Sequence, residues 1–154
     1  MGGVTDGSSV CADCGASGRF GSCDELFGVL LALDHERRQP WAAFHSVNVA
    51  CYLLQHRSRT PEAALSGQWE IVTTFVADGL DAVHRLTAER VRDNRRGVRS
   101  WLTADRQPPP PTTTVTTPSL VTIEDVSVDG TFPADGYDDR MRRWAESMTR
   151  GQAS

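Results

Sequence analysis

The chain has 154 residues, 39% hydrophobic and 23% charged, with a formal net charge of -4 and a pI near 5.5. That length fits one domain with enough chain to bury a core, and the acidic balance gives no general attraction to nucleic acid or to an anionic membrane. The longest apolar run is interrupted at Asp34 and His35, too short for a bilayer, and the opening residues lack the basic-then-apolar order of a secretion signal, so a cytoplasmic protein is expected.

Residues 1–10 are rich in Gly and Ser and are expected to be disordered. The next stretch, "CADCGASGRFGSC", holds Cys11, Cys14 and Cys23, three of the four cysteines. From Asp24 to about Arg37, Leu26, Phe27, Leu30, Leu31 and Leu33 recur at helical spacing. Pro40 suits the first turn of a second helix, expected from Trp41 to about His56. Thr60, Pro61 and Glu62 form a further start signal. Trp69, Val72, Val76, Leu80 and Val83 then line one face of a third helix, which bends or breaks near Gly79 and runs to about Asn94.

At its end, "RVRDNRRGVR" (90–99) carries five arginines in a chain without lysine. The simple reading is a solvated helix end; the sharper one is an anion or partner patch, since guanidinium grips carboxylate and phosphate in a fork. Trp101 and Leu102 precede "PPPPTTTVTTP", a Pro/Thr-rich spacer that runs extended. Beyond it, "VTIEDV" reads as a short capped helix with Thr122 and Asp125 as a capping box. "DDRMRRWAESM" reads as a last helix that docks Met141, Trp144, Ala145 and Met148 onto the rest. The expected fold is mainly α: a small helical bundle with an N-terminal Cys-rich zinc-binding loop and a C-terminal helix after a Pro-rich spacer. Its parts are a disordered 1–10, a zinc loop with helical core over 11–103, the spacer over 104–118 and a C-terminal capping segment and helix over 119–150.

Three chemistries compete for the cysteines. Disulfides need an oxidising compartment. A redox Cys-x-x-Cys expects a strand before the pair and a helix starting at it, whereas Gly- and Ser-rich sequence flanks this one. Zinc reads better, because Cys-x-x-Cys-Gly is a compact turn that brings Cys11 and Cys14 to one tetrahedral ion, and Cys23 offers a third thiolate. For the fourth ligand, an antiparallel pairing of helices one and two about residue 39 sets Cys23 beside the end of helix two. That favours His56, with Cys51 and His45 behind it, and excludes His35, which lies roughly 18 Å along helix one. Cys51 shares a face with Phe44, Val47 and Leu54 and reads more simply as a buried thiol.

Helix two also carries a polar stripe of His45, Asn48, Tyr52, Gln55 and His56. As a functional feature it would make His45, Asn48 and Tyr52 a pocket against helix one, where Asp34 and Glu36 reach His45 for acid-base work. As a structural one it is a hydrogen-bonded seam that fixes helix register. His84 reads as a surface or seam histidine. Phosphate-loop, dinucleotide, HExxH and GxSxG patterns are not found.

Taken together, "CADCG", Cys23, "LFGVLLALDHE", "PWAAFHSVNVACYLLQH" and "RRWAESM" resemble an uncharacterised bacterial family, domain of unknown function 5946. The family pattern falls on Cys11, Cys14, Gly15, Cys23, His45, Gln55 and His56. Members commonly have an acid near position 48 and "HPG" where this chain has His56, Arg57 and Ser58. The resemblance implies the metal site and carries no reaction. The function expected is a Zn(2+)-binding adaptor or regulatory protein that meets another protein. Its rivals are a metal-dependent enzyme, with His45 as candidate catalytic residue, and a zinc-linked thiol switch.

Overall fold

The computed structural model describes residues 10–95 and 121–150. Trp101, Leu102 and the spacer lie outside the described residues, as do residues 1–9. The architecture is α-helical as expected: α1 (Cys23–His35), α2 (His45–Gln55), α3 (Glu62–Asp78), α4 (Leu80–Arg95), the short α5 (Ile123–Val126) and α6 (Tyr137–Arg150). The described residues contain no strand, only isolated bridges between Arg19 and Gly21 and between Val128 and Thr131.

Helix α1 starts at a capping box. Ser22 Oγ accepts the Glu25 N–H at 3.1 Å, and the Glu25 carboxylate accepts the Ser22 N–H at 3.3 Å, so two of the unpaired donors of the first turn are satisfied. It ends in a Schellman motif, in which the Arg38 N–H reaches the Leu33 carbonyl at 3.4 Å and the Arg37 N–H reaches Asp34 at 2.9 Å. The left-handed residue that this motif requires is Arg37, with φ of 59°.

The helix expected from Trp41 divides in two. Its first turn, Trp41–Phe44, is 3-10, and α-helix begins at His45; the Gln39 side chain accepts the Ala43 N–H at 3.2 Å and tightens this entry. Of the bend or break expected at Gly79, the structure shows the break. Rather than bending one long helix, the chain reverses there, because glycine alone adopts φ of 89° with ψ of -178° without strain. Arg90 of α4 consequently returns to α3, donating to the Gly67 carbonyl at 3.0 Å and pairing with Glu70 at 3.5 Å. Arg90, the first arginine of the basic stretch, is therefore half-buried in an ion pair. Arg92 and Arg95 are exposed, and residues 96–99 lie outside the described residues.

The core joins Val47, Cys51 and Leu54 of α2 to Ile71, Val72 and Phe75 of α3, and to Met141, Trp144 and Ala145 of α6. Phe44 sets its edge against Phe75 at 5.8 Å and Tyr137 at 5.4 Å. The expected face of α6 is the buried one, with Met141, Trp144, Ala145 and Met148 all in the core, and Thr122 and Asp125 form the expected box at the start of α5.

Polar residues of α2 hold this C-terminal segment. Trp144 Nε1–H donates to Gln55 Oε1 at 2.9 Å, and Gln55 Nε2–H donates to the Val121 carbonyl at 2.7 Å. Tyr137 donates to Asn48 Oδ1 at 2.5 Å, and Asn48 Nδ2–H donates to the Trp41 carbonyl at 3.3 Å. Gln55 thus spends a donor and its acceptor on the C-terminal segment, and Asn48 spends its acceptor there and a donor on the turn before α2, as burial demands.

Candidate metal centre

The cysteine loop is a backbone-tied turn. The Gly15 N–H closes on the Cys11 carbonyl at 2.9 Å, the Cys11 N–H closes on Ala16 at 2.8 Å, and Gly15 takes φ of 82°. The turn sets the Cys11 and Cys14 thiols side by side. Cys23 is the first residue of α1, where the helix dipole favours a negative sulfur. His56 caps the C-terminus of α2. Its Nδ1–H donates to the Tyr52 carbonyl at 2.7 Å, which satisfies a carbonyl of the last turn and leaves the Nε2 lone pair as the outward-facing donor atom.

The ligand atoms of Cys11, Cys14, Cys23 and His56 all lie within 4.8 Å of one another. Cys14 and Cys23 sulfurs are 3.5 Å apart, close to the edge of about 3.8 Å that a tetrahedron of zinc–sulfur bonds of about 2.3 Å would have. All four cysteines are free thiols. His56 is fully buried, and its Nε2 has no hydrogen-bond partner. A buried polar atom left unpaired costs about 1–3 kcal/mol, and a metal ion among the thiolates is the partner that this atom fits. The residues present match the group.

The donor atoms polarise one another. A hydrogen bond from Cys23 and the nearby His56 hold the Cys14 thiol well below its ordinary range despite burial, and the same bond, with burial, pushes Cys23 up. Burial works against a charge on His56, but the Cys14 sulfur, the Tyr52 carbonyl and Cys11 outweigh it and raise the imidazole to about 9. Near neutral pH the free cluster therefore holds protons, shared between the coupled thiols and the imidazole, that a bound metal displaces. The free state binds more protons than the loaded one, so metal affinity is expected to fall as pH falls. Proton release into a weakly buffered indicator on metal addition checks the sign.

Around the ligands sits a second layer. Tyr52 stacks between Phe27, at 3.8 Å, and His56, at 4.1 Å, and its hydroxyl donates to Asp24, which also pairs with Arg59. Asp13 accepts from the Ser58 hydroxyl at 2.6 Å, tying the loop to the turn after His56. Glu124 of α5 accepts the Ser17 hydroxyl at 2.5 Å and the Gly18 and Arg19 N–H groups at 2.9 and 3.2 Å. The C-terminal segment thereby clamps the loop that carries Cys11 and Cys14. Replacing Glu124 with alanine is expected to lower metal affinity about tenfold, the lower end for loss of an outer contact, as read by competition with a chelator.

The remaining sequence candidates fall elsewhere. Cys51 is fully buried in the core, outside the cluster, and burial pushes its thiol up. His45 lies at the other end of α2, roughly 16 Å from His56 along the axis, with Nδ1 against Asp34 Oδ2 at 2.5 Å. Glu36 instead lies 3.7 Å from Arg38. His45, Asn48 and Tyr52 form no common pocket: although they share a helical face, they sit at successive heights along the axis and meet different partners, His45 at the surface with Asp34, Asn48 inward with Tyr137, and Tyr52 beside His56 with Asp24. His84 is exposed and donates to the Ala43 carbonyl at 2.8 Å. Sequence reasoning missed Asp13, Ser58 and Glu124, whose partners lie 45 and up to 107 residues away; only the Ser22 box had a local signal.

No curated protein and no solved structure matches the chain. A family model matches residues 9–151, a span that contains the four clustered ligands, the clamp at Glu124 and the anchoring Trp144, and the chain accordingly belongs to DUF5946, a family of unknown function.

Proposed function

We propose that the protein binds one Zn(2+) through Cys11, Cys14, Cys23 and His56, and that the ion is structural. The observation that carries this reading is the fully buried His56 Nε2, unpaired and gathered with three thiols. Three soft sulfurs and one imidazole nitrogen are a donor set that selects zinc over hard cations. Once bound, the ion neutralises the thiolates and cross-links the loop, the start of α1 and the end of α2. Four protein donors saturate a tetrahedral zinc and leave no position for a substrate or a reactive water.

On this reading the protein acts through its surface, as a small adaptor or regulatory module that meets another protein. A reducing compartment such as the cytoplasm would keep the three thiols available. Elemental analysis of protein purified without added metal tests the proposal. About one zinc per chain in the wild type, lost in Cys14→Ala, is expected; a wild type without metal, or with one harboured equally well by Cys14→Ala, contradicts it.

A further inference from the structure

At the far end of the α1–α2 pair from the metal ligands, a groove of about 590 Å³ runs between the end of α1 and the start of α2. Four observations meet there. Asp34 is buried, 7% exposed, and among the described residues His45 is the one side chain bonded to it. A buried carboxylate needs compensation, and here the compensation fixes a ring: Nδ1–H of His45 points at Asp34, so Nε2 faces outward with its lone pair free. The His45 side chain is 59% exposed, and Nε2 has no partner among the described residues.

Arg37 lines the same groove. It occupies the left-handed position of the Schellman motif, with φ of 59°, where glycine or asparagine is the unstrained choice. Its guanidinium is exposed and has no partner among the described residues, so an unfavourable backbone carries a cation at this spot with no structural return visible. Gly28, finally, sits inside α1 where alanine would be the better helix former, and a Cβ built there meets nothing within 4 Å. What its missing side chain leaves is the open floor of the groove, walled by Leu31 and Ala32.

We propose that this groove is a second, acid-base site, in which the Asp34-oriented His45 acts on a small ester that carries a carboxylate held by Arg37. His45 Nε2 takes a proton from water as the water oxygen bonds to the acyl carbon. The acyl–oxygen bond then breaks, and the imidazolium returns its proton to the departing oxygen, giving an acid and an alcohol with no other reactant. Asp34 positions the imidazole and receives no proton. The apolar wall takes the body of the substrate, and the site is independent of the zinc ligands.

The test uses full-length, metal-loaded protein with 4-nitrophenyl hydrogen succinate, and 4-nitrophenyl acetate as the ester without a carboxylate. Saturable hydrolysis of the succinate is expected, at least about 100-fold faster than free imidazole at equal concentration, the lower bound for a positioned general base. His45→Gln should abolish it with the metal retained, whereas a rate arising at zinc would survive. Arg37→Gly should raise KM for the succinate and leave the acetate unchanged, while raising Tm by about 2–4 °C as the strain is relieved. Gly28→Leu should block the groove in a folded protein. Hydrolysis no faster than free imidazole, a rate unaffected by His45→Gln, or an unchanged KM in Arg37→Gly overturns the proposal.

Discussion

Replacing His56 with alanine is expected to remove the metal and, with it, the cooperative melting of the protein. The ring is fully buried, stacks on Tyr52 and ties its Nδ1–H to the end of α2. Its loss leaves three thiols and an unfilled coordination position. Apparent binding energies of structural zinc are about 10–16 kcal/mol, comparable to the whole stability of a domain, about 5–15 kcal/mol. A change of this size decides between folded and unfolded, so a circular dichroism melt and a metal assay on the same sample suffice. His56→Cys separates loss of a ligand from loss of packing, since four thiolates also make a tetrahedral zinc site. It should keep the metal and recover the transition, whereas a Cys variant as damaged as the Ala variant would point to the aromatic stack instead.

Trp144→Ala is the second large effect, with an expected loss of about 3–5 kcal/mol. The indole is fully buried in the face that α6 lays on α2 and α3, and its N–H is bonded to Gln55. The same Gln55 holds the chain at Val121, so the variant breaks the anchor of the segment that carries Glu124 to the cysteine loop. Trp144→Phe keeps most of the apolar volume but strands Gln55 Oε1, an expected loss of about 1–3 kcal/mol. Urea denaturation of the metal-loaded proteins reads both. The Ala variant should in addition release its metal more readily to a chelator, because the clamp on the loop loosens with α6.

The parts of this molecule that were legible in the sequence are those in which one residue type and its near neighbours determine the outcome. Cys-x-x-Cys-Gly announces a turn, the Thr122 box announces α5, and the spacing of Met141, Trp144 and Met148 announces the buried face of α6. His56 was reachable as well, since an antiparallel pair of helices of known rise fixes which residue returns to Cys23. An interruption at Gly79 was legible too, but not that it reverses the chain, because an apolar periodicity running from Trp69 to Val83 passes through the glycine without a phase change. Only the return of Arg90 to Gly67 reveals the reversal.

The polar stripe of α2 illustrates the same limit. Helical spacing groups His45, Asn48, Tyr52 and Gln55, but their partners come from Asp34, Tyr137, Asp24 and Trp144. Asp34, 11 residues from His45 and one helix back, is the partner that the antiparallel pairing of α1 and α2 anticipates; the others lie 28 to 89 residues away, and no local rule pairs them. The stripe is therefore several devices: an anchor for the C-terminal segment at Asn48 and Gln55, a ring stacked on the His56 of the Cys/His cluster at Tyr52, and an oriented imidazole at His45.

The central claim, a zinc ion held by the thiolates of Cys11, Cys14 and Cys23 and by His56 Nε2, is tested most directly by zinc-edge X-ray absorption on the protein as purified. Three sulfurs at about 2.3 Å and one nitrogen at about 2.0 Å are predicted, with the nitrogen lost in His56→Cys. A first shell of four sulfurs in the wild type, which would bring in Cys51, or a shell of oxygens, would contradict it.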